Sequence, residues 1–341
     1  MNIRPMRSVL NLNVIVSAVR KCSSVNLKNF STIAKECVEI KIPVPWGHIA
    51  AKWWGSQNER PILSCHGWQD NSGTFDRLIP YLPSDVSLLA IDFPGHGYSS
   101  RLPLGMWYNG MDYIVVLERI VDYFKWPKVS LMGHSLGAIQ SYLYSVLFPE
   151  RIEFLICLDA FHPFPTDDYK TEDFRKNITR YLKYDNLCAS NTEPPSYTPA
   201  KLSEIWHEGS RKSVDVENCK YILERNVMPS KTKPNHFYFT RDPRLKIGVK
   251  HSFSQKQIVE QASRVRFPIC VFKANDNDFS SASPLTYQLL DIIKENTKDY
   301  YFLEVGGTHH VHLNNPERVG PHIHNFIKKY YSCNLQAEEH L

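Results

Sequence analysis

The sequence predicts an α/β protein: one mostly parallel, doubly wound sheet of eight strands, carrying a mainly helical insertion before its last two strands. Three observations carry that expectation. Short runs rich in Val, Ile and Leu recur between residues 38 and 305 and mostly alternate with stretches of helical periodicity. A glycine-flanked turn at 133–137 joins one such run directly to a helical stretch. Residues 161–265 then break the alternation: they are polar, rich in proline and lack a convincing strand repeat.

The elements follow in order. Residues 38–44 and 49–54 flank Pro45-Trp46-Gly47, a turn signal, and read as an antiparallel hairpin. Further strand-like runs lie at 61–65, 86–92, 129–132, 154–159, 267–272 and 301–305. Over 112–126, Tyr113, Val116, Leu117, Ile120, Tyr123 and Phe124 form an apolar stripe at helical spacing. Residues 136–148 repeat that spacing after the turn. The 161–265 segment, with Pro163, Pro165, Pro194, Pro195 and Pro199, is too long for an ordinary connection. It is expected to form a helical cap over the carboxyl ends of the strands, where ligands bind in open α/β sheets. Its Tyr181, Tyr197, Trp206 and His207 either line a pocket or pack the cap onto the core. The expected core is then 36–160 with 266–332, followed by a tail at 333–341.

Composition narrows the class. The 341 residues suffice for a large core, and 43% hydrophobic with 22% charged residues describes a globular, soluble chain. The net charge of +5 owes much to the first 35 residues, which hold six Lys or Arg and no acid. The remainder is close to neutral, which argues against a nucleic-acid partner. The basic, acid-free segment fits a mitochondrial transit peptide better than a secretory signal, since Asn11, Asn13 and Arg20 interrupt any hydrophobic core. An unprocessed basic tail, with a cytoplasmic or peroxisomal location, is the alternative. The eight cysteines are scattered singly, with no C-x-x-C, so a reducing compartment is expected. No apolar run approaches the roughly 18 to 20 residues needed to span a bilayer.

The chemistry concentrates at Gly133-His134-Ser135-Leu136-Gly137, a G-x-S-x-G pattern between a strand and a helix. A serine on so sharp a turn needs small neighbours, because strand, turn and helix must approach closely. A serine hydroxyl attacks only if a base takes its proton. The best source is Gly306-Gly307-Thr308-His309-His310-Val311-His312-Leu313, the loop after the last strand. His309 follows the strand most closely, while His310 and His312 compete as orienting or packing residues. No carboxylate or cysteine stands near this loop at ligand spacing, so neither a metal nor another cofactor is expected. The imidazole needs a carboxylate to hold its tautomer, and Asp276, Asp278 and Asp159 all follow strand ends. The N–H groups of Leu136, at the helix start, and Trp68, in the loop Cys65-His66-Gly67-Trp68, are the expected oxyanion donors.

With those residues in place, the chain resembles the serine hydrolase-like family of α/β-hydrolases over residues 38–330. The resemblance rests on His66-Gly67-Trp68-Gln69-Asp70-Asn71-Ser72-Gly73-Thr74-Phe75-Asp76-Arg77-Leu78-Ile79-Pro80, on Asp92-Phe93-Pro94-Gly95-His96-Gly97-Tyr98-Ser99-Ser100, and on the Ser135 turn and His309 loop. It implies the α/β-hydrolase fold, a nucleophile at Ser135, a base at His309, and oxyanion donors at Trp68 and Leu136. His309 and His312 match a histidine pair common in the family. Relatives place the acid after the seventh strand, which favours Asp278, or after the sixth, which gives Asp159; Asp276 ranks third. A small-molecule acyl substrate and hydrolysis of carboxylic esters or thioesters follow as expectations. A binding protein without turnover and an acyltransferase are the competing readings.

Overall fold

A computed structural model describes residues 35–166, 170–190, 192–248, 253–276 and 283–338. The basic segment expected to direct targeting falls before them. The strands are β1 (Cys37–Val44), β2 (Gly47–Trp54), β3 (Ile62–Cys65), β4 (Leu88–Ile91), β5 (Val129–His134), β6 (Ile152–Leu158), β7 (Val227–Pro229), β8 (Phe237–Phe239), β9 (Ile269–Ala274) and β10 (Tyr300–Val305). Eight of them form one sheet in the order β1-β2-β4-β3-β5-β6-β9-β10. Strand β2 pairs antiparallel with β1 and β4, and every other pairing in that sheet is parallel. The fold is that of an α/β-hydrolase.

Strands β3, β4 and β5 are buried along their whole length because both faces are covered. Along β3 and β5, Leu63 and Leu131 face one cluster with α1 (Gly110–Tyr123) and α2 (Leu136–Leu147), while Ile62 and Met132 face the other. Helix α1 begins at a capping box, Asn109 with Asp112, and buries the Tyr113, Val116, Leu117 and Ile120 stripe.

Between β6 and β9 come α3 (Thr171–Ala189), α4 (Pro199–Gly209), α5 (Cys219–Leu223), the β7–β8 hairpin and α6 (Gln255–Ala262). The hairpin departs from the strand-free segment expected from sequence: Val227 pairs with Phe239 and Pro229 with Phe237. Three-residue strands offer no period to count. After β9 come α7 (Pro284–Asn296), then β10, α8 (Val311–Asn314) and α9 (Gly320–Glu338).

Leu202, Trp206, Val214, Cys219, Ile222 and Leu223 pack together with Leu313 of α8, fastening one half of the insertion to the core. Buried charge reinforces it. Arg225 reaches Asp92 Oδ2 at 2.7 Å and also pairs with Glu39. Arg244 holds Asp242 Oδ2 at 2.8 Å and donates to the Leu102 carbonyl at 2.6 Å. The aromatic residues weighed as pocket lining do packing work instead. Tyr181 stacks on Trp107, Tyr197 bridges to Phe237, Trp206 joins the apolar cluster, and His207 Nδ1 donates to the Val214 carbonyl.

Candidate active site

Ser135 leaves β5 and starts α2 with φ 52° and ψ −118°, a left-handed conformation that costs an L-residue roughly 1–3 kcal/mol. The two glycines around it permit this. A Cβ on Gly137 would stand 2.0 Å from the Cys65 carbonyl oxygen, and one on Gly133 would stand 2.4 Å from the Ala138 nitrogen. Strand, turn and helix therefore touch through backbone alone. The Ser135 N–H continues the sheet, donating to the Leu158 carbonyl at 3.1 Å. The next residue of β6's chain is Asp159, also left-handed at φ 55°, whose N–H donates to the Phe272 carbonyl of β9 at 2.8 Å.

The Asp159 carboxylate is 2% exposed and held from two sides. Oδ1 accepts the Ala274 N–H at 2.7 Å, and Oδ2 accepts from His309 Nδ1 at 2.6 Å. That second bond fixes the His309 tautomer, leaving Nε2 to present a lone pair. Ser135, Asp159 and His309 line one cavity of about 540 Å³. The Ser135 hydroxyl makes no hydrogen bond to protein among the described residues.

Of the three candidate carboxylates, the structure brings Asp159 to the imidazole. Asp276 does other work: its Oδ2 accepts the Gly307 N–H at 3.0 Å and its own N–H donates to the Gly307 carbonyl, anchoring the histidine loop. Asp278 lies outside the described residues. His310 Nδ1 pairs with Ser213 Oγ and His312 Nε2 with Thr74 Oγ1, so both competing histidines are engaged away from the cavity.

The loop after β3 lies against the turn: an added Cβ on Gly67 would be 3.3 Å from the Ser135 Cβ. His66, buried, holds this loop by donating from Nδ1 to the Gly67 carbonyl at 2.6 Å and accepting the Phe93 N–H at Nε2. Trp68 and Leu136 follow Gly67 and Ser135, and neither N–H has a protein acceptor among the described residues. Gln69 beyond Trp68 is the third left-handed residue here, at φ 62°. Sequence reasoning assigned no role to His134, whose Nε2 donates to the His309 carbonyl at 2.9 Å and ties the two loops together. A histidine beside the serine carries no signature of that contact.

A serine on a strand-to-helix turn, lining one cavity with a carboxylate-held imidazole, places this molecule among the α/β-hydrolase-fold proteins. A profile of the alpha/beta hydrolase fold matches residues 60–183. A Drosophila melanogaster protein named "Probable serine hydrolase" is 36% identical over 85% of this chain and 88% of its own length. A Danio rerio "Serine hydrolase-like protein" is 35% identical over 89% and 93%. The crystal structure of a hypothetical protein from Pseudomonas aeruginosa PAO1 superposes with a TM-score of 0.72 at 25% identity, over 86% of this chain and 99% of that one. The chain belongs to the serine hydrolase-like family.

Proposed function

We propose that this protein is a serine hydrolase that cleaves carboxylic esters or thioesters through an acyl-enzyme on Ser135. The observation that carries the reading is the 2.6 Å bond from His309 Nδ1 to Asp159, beside a serine on a strained turn. His309 Nε2 takes the Ser135 proton as Oγ attacks the carbonyl carbon, and the Trp68 and Leu136 N–H groups receive the developing oxyanion. The imidazolium, steadied by Asp159, then gives its proton to the departing alcohol or thiol. A water molecule repeats the sequence on the acyl-enzyme, releasing the acid and restoring Ser135.

Asp159 takes the orienting role in this reading because it touches the ring and is itself held by Ala274. Ile139, Phe161, Phe164, Leu285 and Phe302 give the cavity an apolar wall that suits an acyl chain. The names of the relatives point to the same chemistry.

The test is covalent labelling by a fluorophosphonate probe together with turnover on a graded panel of acyl esters. Labelling is expected in the native protein and lost in Ser135→Ala. Asp159→Asn is expected to lower kcat by about 10³–10⁴. Labelling without turnover on any ester would leave a binding protein instead, and products formed with an added alcohol or thiol would identify an acyltransferase. The acid-free first 35 residues support a mitochondrial location. A fusion of that segment to a fluorescent reporter that stays diffuse in the cytosol would overturn it.

A further inference from the structure

Outside the cavity, Asp70, His134 and His310 converge from the loop after β3, the end of β5 and the loop after β10, each no more than 9% exposed. Asp70 Oδ2 lies 3.8 Å from His134 Nδ1 and 3.7 Å from His310 Nε2, and all three atoms fall within 4.8 Å of one another.

The hydrogen bonds around them fix what each atom presents. His134 Nε2 faces the His309 carbonyl, which only accepts, so Nε2 carries the proton and Nδ1 presents a lone pair. Ser213 Oγ gives its proton to the Ser210 carbonyl at 2.7 Å and therefore accepts from His310 Nδ1 at 2.9 Å. His310 Nε2 is then also a lone pair. Asp70 Oδ1 accepts the Asn71 N–H at 2.8 Å, while Oδ2 and His134 Nδ1 are buried without a hydrogen-bond partner. Three acceptors thus face one point with no proton among them, an arrangement that is costly in a buried site unless something positive joins them.

We propose that Asp70, His134 and His310 bind one transition-metal dication of the zinc type, which ties together the loops bearing the oxyanion donor, the nucleophile and the base. Two imidazoles and a carboxylate are the donor set zinc accepts, whereas calcium and magnesium ask for oxygen throughout. Three donors at about 2.1 Å from a central ion in a trigonal arrangement stand about 3.6 Å apart, close to the two separations here. The outer partners are also in place: the His309 carbonyl, Ser213 Oγ and the Asn71 N–H orient each ligand from behind, as partners of metal ligands do. Asp70 is remote in sequence from the His309 loop, which is why spacing alone pointed away from a metal. The ion touches no substrate, so the site stands whether or not Ser135 is acylated.

The test uses the full chain, stripped with a chelator and titrated with Co²⁺ and Zn²⁺. The expected result is one equivalent of Co²⁺ per chain with visible ligand-field absorption, displaced by Zn²⁺, and a raised melting temperature. Asp70→Asn and His310→Gln, each confirmed folded by circular dichroism, should weaken uptake about 100-fold or more. His309→Gln should keep the full stoichiometry, because its ring contributes no ligand. The proposal falls if the folded native chain takes up no stoichiometric metal, as it would if water fills the cluster. It falls equally if uptake survives Asp70→Asn and His310→Gln, or is lost in His309→Gln.

Discussion

The insertion between β6 and β9 contains two halves attached by different physics. The half around α4 and α5 buries Leu202, Trp206, Ile222 and Leu223 against Leu313 and sinks Arg225 onto Asp92. Helix α3 buries none of its residues, and Phe174, Ile178, Leu182 and Leu187 are each about half exposed. Its ties are polar or stacked rather than packed: Tyr181 on Trp107, Arg180 donating to the Lys246 carbonyl, Asp185 pairing with Arg244 at 3.2 Å and Cys188 Sγ donating to Asp242 at 3.3 Å. One half is seated in buried apolar contact; the other lies mostly in water.

The sharpest way to break the contrast is Arg225→Met. It leaves the fully buried Asp92 carboxylate without its cation, which is expected to cost about 3–5 kcal/mol at pH 7 in chemical denaturation. The effect has a signed pH dependence. Burial alone would push the Asp92 carboxyl up, but the Arg225 guanidinium overrides it and holds the group below the usual range. In the native protein that stability is present above the unfolded value of about 4 and is lost as the pH falls through the folded one. In Arg225→Met the guanidinium is gone and only the Ser72 and Tyr98 N–H groups and His66 still oppose burial, so the carboxyl rises and the penalty is relieved on acidification. The gap between the two proteins should therefore narrow from pH 7 towards pH 4; a constant gap would refute the pairing.

Trp206→Ala is expected next in size, at about 3 kcal/mol, from the cavity left in the seated half. Phe174→Ser with Ile178→Ser should shift the stability by no more than about 0.5 kcal/mol, because both side chains already stand half in water. A loss of several kcal/mol from the α3 pair would erase the distinction between the halves.

The same contrast governs what could be read in advance. The eight-stranded sheet was legible because the buried strands are mostly apolar runs and the runs alternate with amphipathic helices. Ser135 was legible because the crowding of Gly133 by Ala138 and of Gly137 by Cys65 leaves its trace in the residues on either side of the serine. The hairpin was not, since Pro229 and two three-residue strands resemble loop. The carboxylate facing His309 was open for another reason: Asp159, Asp276 and Asp278 all follow strand ends, and the Ala274 amide and the ring at Asp159 are tertiary facts. Asp70, His134 and His310 were invisible as a group because they meet only after two loops and the end of β5 are assembled.

The bonds that carry Ser135 to Leu158 and Asp159 to Phe272 make the two groups successive steps of one staircase climbing across the sheet. A one-residue slip of β6 would shift both partners relative to their neighbours at once, so spacing between hydroxyl and carboxylate is calibrated by strand register rather than by side-chain choice. The insertion that follows β6 can therefore vary in length and sequence while the hydroxyl and the carboxylate keep their separation.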